Sequence, residues 1–426
     1  LGVLMGDCCG KPLTKSGTAE SGKPRWYCRL CGRRTTQPDG DGGGVGYDTE
    51  QVSGNAGKLR DSVKSGCRRF VVTSAVNNAA LHPGFHALKQ YCKEWQAELI
   101  VIPVSYKNIS LYTANQEYRK RWHSDLEPYL ITERVNIGGG VEVAGDIPVS
   151  ATAVNPLEGL GAIGGPRWQI IGHPQVGMKP VATPMAERPK RVYTTGSVTV
   201  RSYSRTKVGA KGDFYHTYGA VVVEVVGPKR ALVRQIGLHG GGFYDLAGGE
   251  VRHYTSTGST GGHMLETLTM GDEHVGQTAK SVTRATAAMT ERLRPRWLIR
   301  HDVLDGYAGS HHHRKNPLVE FAKHHTGKAD YAAELESVVD HLNKTTPPGV
   351  QSVMVASNHH DHLMQWLNST HVNDDHRNAL ILADLQLRVR QAVLDGKNPD
   401  PLRLYCEPRL TADVRWLSRD EKFLVR

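Results

Sequence analysis

No run of this 426-residue sequence approaches the roughly 18 consecutive apolar residues that a membrane-spanning helix needs. A charged and then apolar leader, the signature of secretion, is also absent from the start of the sequence. The sequence therefore carries neither of the signals that mark membrane-spanning and secreted proteins. We expect a cytoplasmic protein with no membrane partner.

Cysteine is scarce, and four of the seven cysteines lie close together near the start of the sequence. These four are Cys8, Cys9, Cys28 and Cys31. The Cys28-x-x-Cys31 spacing lets two thiolates chelate one zinc ion, but Gly6 stands where the other half of a ribbon needs its first cysteine. We predict a structural Zn²⁺ ribbon over residues 1–36, which resembles the ribbons that open transposases and phage DNA-binding proteins. A degenerate ribbon without zinc is the alternative.

Positive charge is in excess and unevenly spread, with a formal net charge of +11. Residues 1–36 hold seven Lys or Arg against two Asp or Glu, and residues 184–234 hold ten against three. Separate basic modules are typical of proteins that bind a polyanion while another domain acts on it. We therefore predict DNA as a partner, and a solvated basic face without a ligand is the alternative for either span.

A Gly-, Asp- and Ser-rich stretch, residues 37–66, predicts a flexible linker. After it, Arg69–Thr73, Gly84–Gln96 and Glu98–Val104 have the patterns of a strand, a helix and a second strand. This βαβ unit lacks the Gly-x-Gly-x-x-Gly of a nucleotide-binding fold, so we assign it no cofactor. It opens an α/β and β-rich domain that we place at residues 67–255.

Helical patterns are weak between Gly145 and Gly249, where short runs of strand-forming residues alternate with Gly and Pro. Within this part, Thr194–His216 interleaves basic residues with aromatic and small hydroxyl side chains, a composition suited to a phosphate backbone. We therefore assign nucleic-acid contacts to Arg201, Arg205, Lys207 and Lys211. An exposed basic hairpin over core aromatics explains the same composition.

Three stretches in the last part of the chain predict strands that end in metal-binding side chains. The first ends in Asp272 and His274, whose spacing of two places both side chains on one side of a strand. The second, after Trp297–Ile299, ends in His301, Asp302 and Asp305. The third, beginning at Val350, ends in Asn358, His359, His360 and Asp361. The segments between them have helical periodicity, so the pattern indicates a parallel sheet with ligands at its carboxyl edge.

These three stretches resemble, in order, the first three motifs of the calcineurin-like metallophosphoesterases. The resemblance implies that Asp272 and His274 hold one metal ion, that Asp302 bridges two, and that Asn358 binds the second. It also implies that His359 assists the leaving group. The chain departs from the family motifs at His301, where we expect no effect on a ligand. It departs again at His360, which replaces the carboxylate that orients His359 in the family, and Asp361 is the candidate to take over that role.

Two further motifs of that family, an isolated His and a Gly-His-x-His, are not recognised after Asp361, where the sequence has His362, His371 and His376 but no Gly-His-x-His. The chain also begins with Leu1 and stops at Arg426 in what has the pattern of a strand. We therefore expect a fragment, with residues 256–426 as a metallophosphoesterase domain that is incomplete at its carboxyl end. A metal-free pseudoenzyme is the alternative. The order of the domains resembles phage proteins related to the pre-early DNases of some siphophages.

The sequence thus predicts an α/β protein with a metallophosphoesterase-type parallel or mixed sheet core, preceded by the α/β and β-rich domain and the small ribbon. We expect a DNA nuclease with two divalent ions, Mn²⁺ or Mg²⁺, in the cytoplasm of an infected bacterial host. Ligands of oxygen and nitrogen without thiolate favour Mn²⁺. A small-molecule phosphoesterase and a non-catalytic DNA-binding protein are the alternatives, and a homo-oligomer is left open.

Overall fold

A computed structural model describes residues 54–109, 120–247, 249–310, 312–313 and 316–425. Between Asp7 and Thr35 it also describes the backbone of five short strands: β1 (Asp7–Cys8), β2 (Lys11–Pro12), β3 (Thr14–Thr18), β4 (Pro24–Tyr27) and β5 (Arg34–Thr35). Strands β1 and β2 pair with each other, and β3, β4 and β5 form a three-stranded sheet. The predicted zinc site lies outside the described residues, because no side chain of its four cysteines is described.

The chain divides into two compact units, one of residues 1–247 and 252–261 and the other of residues 248–251 and 262–426. The domain boundary predicted from the sequence lies at residues 255/256, whereas residues 252–261 belong to the first unit. The elements of the first unit are α1 (Asn55–Lys64), β6 (Arg69–Val76), α2 (Gly84–Trp95), β7 (Glu98–Val104), β8 (Arg134–Gly138), β9 (Val141–Ala144), β10 (Trp168–Ile171), β11 (Val176–Val181), β12 (Lys190–Thr195), α3 (Lys207–Tyr215), β13 (Gly219–Gly227) and β14 (Arg230–Gly237). Short 3₁₀ helices span Ser124–Tyr129 and Leu160–Ala162.

Two sheets and a helix form the layers of the first unit. One sheet has the strand order β14-β13-β6-β7, and the other has the order β11-β12-β10-β9-β8. Side chains alternate along β6, so Val71 belongs to the core with Phe85 of α2, whereas Val72 belongs to the core with Val143 and Ile170 of the second sheet. The mixed pairing and the βαβ unit agree with the α/β class expected from the sequence.

The linker prediction is wrong over Asn55–Lys64, which form helix α1. Ala56 and Leu59 of this helix are buried in the core between the sheets. The Asn55 amide also donates to the backbone carbonyl oxygens of Glu127 and Leu130. The half-buried Val63 packs against the same core. These few apolar residues give the helix a weak periodicity among the glycines and serines around it. Residues 37–53 lie outside the described part.

After the first unit's large sheets, β15 (Gly242–Ala247), β16 (Glu250–Thr255) and β17 (Gly258–His263) form a three-stranded sheet. The elements that follow are β18 (Thr267–Asp272), α4 (Lys280–Leu293), β19 (Trp297–His301), α5 (Pro317–His325), α6 (Tyr331–Thr345), β20 (Gln351–Met354), α7 (Asn358–Ser369), α8 (Ala379–Leu394), α9 (Pro401–Cys406) and β21 (Val414–Trp416), with a 3₁₀ turn at Glu407–Arg409. Lys422–Val425, expected as part of a strand, have no strand structure.

The second unit is built on a four-stranded sheet in the order β18-β19-β20-β21, and all three pairings are parallel. Asp330 caps helix α6, and its carboxylate accepts from the Ala333 backbone N–H. Its buried Leu335 and Leu342 join Trp366 of α7 in the main core of this unit. None of the helices in the described part is long and apolar enough to cross a membrane.

Candidate metal centre

The parallel sheet of the second unit brings the three predicted strand ends to one edge. Strand β18 ends at Asp272, the neighbouring β19 ends at His301, and β20 leads through a short loop to Asn358, the first residue of α7. Because the strands are parallel and adjacent, their carboxyl ends share an edge. The placement predicted from the sequence pattern therefore agrees with the structure.

One group of possible metal ligands at this edge consists of Asp272, His301 and Asp302, whose ligand atoms lie within 4.8 Å of one another. The Nδ1 atom of His301 lies 2.9 Å from Asp272 Oδ1 and 3.1 Å from Asp302 Oδ2. Asp302 is buried, whereas the side chain of Asp272 is exposed. The expectation that His301 has no effect on a ligand is wrong, because its imidazole contacts both predicted carboxylate ligands.

A second group consists of His274, Asp305 and His359, again with ligand atoms within 4.8 Å. His274 Nδ1 and Asp305 Oδ1 lie 2.6 Å apart, and His359 Nδ1 lies 2.9 Å from the Asp305 backbone oxygen. The rings of His274 and His359 meet edge to face, with centroids 4.3 Å apart. The two groups are neighbours, since His274 Nε2 lies 4.0 Å from Asp272 Oδ2.

Asp305 fixes which nitrogen of His274 is available. A carboxylate accepts hydrogen bonds, so Nδ1 of His274 carries a proton and donates to Asp305 Oδ1. The neutral ring then presents the lone pair of Nε2 on the side of Asp272. A histidine oriented by a carboxylate in this way is a common arrangement around protein-bound metal ions. The sequence contained Asp305, but its spacing gave no indication of this orienting role.

The backbone is unusual at two residues of the site. His274 has φ 36° and Asp302 has φ 43°, in the left-handed region that non-glycine residues rarely adopt. The two strained segments hold each other, because His274 N–H donates to the Asp302 carbonyl and Val275 N–H donates to that of Val303. Such strain tends to persist where function requires a particular geometry.

Asp302 has the environment of a carboxylate that binds a cation. Burial alone would raise the pKa of the Asp302 carboxyl, but a hydrogen bond from Ser357 and the nearby His301 and His359 imidazoles hold that pKa below its usual value. The carboxylate is therefore charged, yet its buried Oδ1 has no hydrogen-bond partner. A divalent cation would satisfy that oxygen, and the surrounding oxygen and nitrogen donors fit Mn²⁺.

The residues of the third motif, 358–361, do not all face the site, because one of them is buried in the core. Asn358 is exposed at the start of α7, which begins with Ser357 as its cap. His360 is buried and accepts from the Val303 backbone N–H, and its burial lowers the pKa of the imidazole to about 4. This neutral histidine holds the segment just after Asp302. The suggested substitute carboxylate, Asp361, pairs with Arg419 instead.

A half-buried carboxylate and a buried ammonium clamp the loop that carries Asp305. The Glu334 carboxylate accepts from the backbone N–H groups of Tyr307 and Ala308, at 3.0 and 2.9 Å. The Lys323 ammonium, which is 1% exposed, donates to the Ala308 carbonyl. The loop is therefore held through two of its backbone N–H groups by Glu334 and through one of its carbonyl groups by Lys323.

The four predicted nucleic-acid residues lie in the first unit, in and beside α3 rather than in a β hairpin. Glycines explain the missed helix, since a Cβ at Gly209 would lie 2.0 Å from the Ser204 backbone oxygen. This close approach holds one side of α3 against the unit and leaves Lys207 and Lys211, one turn apart, exposed. Arg205 is also exposed, whereas Arg201 donates to the His216 carbonyl.

Comparison with known proteins gives a distant similarity. The chain is 28% identical over 360 residues to Protein A1 of Escherichia phage T5. The match covers 78% of this chain and 62% of that protein, so the chain spans less than two thirds of its length. No protein-family model and no solved structure matches the chain. The similarity makes a phage origin plausible.

Proposed function

We propose that the protein is a divalent-metal-dependent phosphodiesterase that cleaves DNA, with its active site at the carboxyl edge of the second unit's sheet. The observation that carries the proposal is the convergence of Asp272, His274, Asp302 and His359 from three strand ends. The buried and unpartnered Asp302 oxygen supports a cation at that place. DNA as the substrate is supported by the basic balance of the chain and the exposed lysines of α3.

Asp272, His274 and Asp302 are the residues that would hold metal, with Asn358 as a further ligand at the start of α7. A bound divalent ion supplies a water of lowered pKa and stabilises the charge that develops on the phosphoryl oxygens. The chain's own contribution is positional. Asp305 orients His274, and Glu334 and Lys323 fix the loop that carries Asp305.

His359 is suited to act on the leaving oxygen. Its Nδ1 faces the carbonyl oxygen of Asp305, which accepts hydrogen bonds only, so Nδ1 is the protonated nitrogen. Nε2 is then the atom that can give a proton to the leaving alkoxide when the ring is protonated. The half-buried ring lies directly against His274, which places this proton beside the metal ligands.

The proposal is tested by assaying the chain with Mn²⁺ on a DNA duplex and on a small chromogenic phosphodiester. We expect both to be hydrolysed and EDTA to stop both reactions. Neutralising the four basic residues to Gln should weaken DNA binding and flatten its salt dependence, since each lost phosphate contact removes a slope of about 0.9 in log–log terms. Hydrolysis of the small diester should be unchanged.

A matched control removes the same charge from exposed lysines on α1 and α2 of the same unit. The control replaces Lys58, Lys64, Lys89 and Lys93 with Gln. This variant should bind and cleave DNA as the unaltered protein does. Hydrolysis of the small diester without DNA cleavage would favour a small-molecule phosphoesterase. Equal losses of both activities in the α3 variant would show that its basic residues are structural.

A further inference from the structure

His301 lies between two carboxylates that the proposed function assigns to metal. We propose that His301 is itself a ligand of the divalent ion, so that Asp272, His301 and Asp302 form a three-residue metal site. The inference rests on the proposed function in that the same edge of the sheet binds metal. It adds a nitrogen ligand at a position where the sequence motif implied glycine and no ligand.

The distances between the donor atoms fit a shared ion. Neighbouring ligands of an octahedral ion with bonds of about 2.1 Å lie about 3.0 Å apart. The His301 Nδ1 atom lies 2.9 Å from Asp272 Oδ1 and 3.1 Å from Asp302 Oδ2. A hydrogen bond would explain one of these contacts, but a single Nδ1–H would have to be shared between two carboxylates. An ion bound to all three groups satisfies each of them.

The local backbone explains how consecutive residues reach one site. Successive side chains of a strand point to opposite faces, so His301 and Asp302 would diverge if β19 continued in extended form. Asp302 instead has φ 43°, and its carboxylate turns to within 3.1 Å of the His301 ring. The strained residue is thus the one that brings the imidazole and the buried carboxylate together.

A second observation points independently to a cation. Asp302 is 3% exposed, and its Oδ1 atom, the carboxylate oxygen other than the one that contacts His301, has no hydrogen-bond partner. A buried, charged oxygen without a partner is costly. The half-exposed His301 and the exposed Asp272 leave the site open to solvent, so an ion can enter.

The nitrogen ligand has a consequence for metal selectivity. Carboxylates and water suit Mg²⁺, whereas imidazole suits transition metals. His301 therefore shifts the preference of the site from Mg²⁺ toward Mn²⁺ and other transition metals. Replacing it with aspartate would make all three side-chain ligands oxygen donors and should reverse part of that preference.

The test is calorimetric titration of the purified chain with Mn²⁺ and with Mg²⁺. His301→Ala should weaken Mn²⁺ binding by more than the roughly 10–100-fold that loss of an outer hydrogen-bond partner of a ligand costs. His301→Asp should restore binding and lower the ratio of Mn²⁺ to Mg²⁺ affinity. The control, His371→Ala, removes an exposed histidine of the same unit and should bind Mn²⁺ normally.

Mn²⁺ binding by His301→Ala that is tighter, unchanged or at most about 100-fold weaker would overturn the inference, because the imidazole would then only bridge the carboxylates by hydrogen bonding. That result leaves the proposed function standing, since the unaltered protein still binds metal. Absence of Mn²⁺ binding in the unaltered protein would contradict both. Thermal unfolding of each variant checks that it is folded. If His301→Ala does not fold, the ratio of Mn²⁺ to Mg²⁺ affinity of His301→Asp still tests the inference.

Discussion

Asp302→Asn is expected to abolish Mn²⁺-stimulated phosphodiesterase activity while leaving the fold intact. The amide keeps an acceptor for the Ser357 hydroxyl, but it removes the negative charge from the most buried of the predicted ligands. Stabilisation by a metal ion is worth several kcal/mol, and each 1.36 kcal/mol is tenfold in rate, so we expect a loss of at least about 100-fold. The measurement is the initial rate on a small phosphodiester with saturating Mn²⁺.

Asp361→Asn is the matched control for this prediction. Asp361 lies in the first turn of α7, close in sequence to the site, but its carboxylate pairs with Arg419 at the surface. The control should therefore keep its full rate and bind Mn²⁺ normally. If Asp302→Asn retained more than about one tenth of the unaltered rate, it would have lost less than the 1.36 kcal/mol that a tenfold change represents. Asp302 would then not be an essential metal ligand.

His359→Asn should lower turnover by roughly 10²–10⁴, the usual contribution of a general acid. The loss should be smaller for a substrate whose leaving group needs no proton, such as a nitrophenolate. Metal content should stay near that of the unaltered protein, because the proposed role of His359 is to move a proton. The measurements are turnover on DNA and on a nitrophenyl diester, together with metal analysis of the purified variant.

The metal analysis is decisive because His359 also lies near His274 and Asp305 in a group that could hold an ion. Loss of metal together with activity would make His359 a ligand and would overturn the general-acid role. An equal loss of rate on both substrates, with metal retained, would also contradict proton transfer to the leaving group. His371→Asn, which changes an exposed histidine, should affect neither rate nor metal.

The positions of the site residues followed from the sequence because they depend on a simple rule. Apolar runs with polar tips, separated by helical segments, predict parallel strands whose carboxyl ends meet. That rule placed Asp272 and Asp302 at one edge of a parallel sheet, as the structure has them. The metal ligand assignments of these residues remain predictions.

The interactions that strand periodicity does not determine were missed. His301 was expected to have no effect because the motif has glycine there, but its imidazole contacts Asp272 across the paired strands β18 and β19, and the positive φ of Asp302 turns a second carboxylate toward it. His360 was weighed as a site residue, whereas its ring is buried and accepts a hydrogen bond from the Val303 backbone N–H. In α3, glycines needed for close packing concealed a helix. The contacts of His301 with Asp272 and of His360 with Val303 join distant parts of the chain, and the close approach of Gly209 to Ser204 is a local one that strand or helix periodicity does not show.

The most direct test of a metal centre at this sheet edge is anomalous X-ray scattering from crystals of the protein grown or soaked with Mn²⁺. We predict an anomalous peak at bonding distance, about 2.0–2.2 Å, from the Asp302 carboxylate. The peak should be absent from crystals of Asp302→Asn. Well-ordered Asp272, His274 and Asp302 side chains without any peak among them, at a Mn²⁺ concentration that supports activity, would contradict the account.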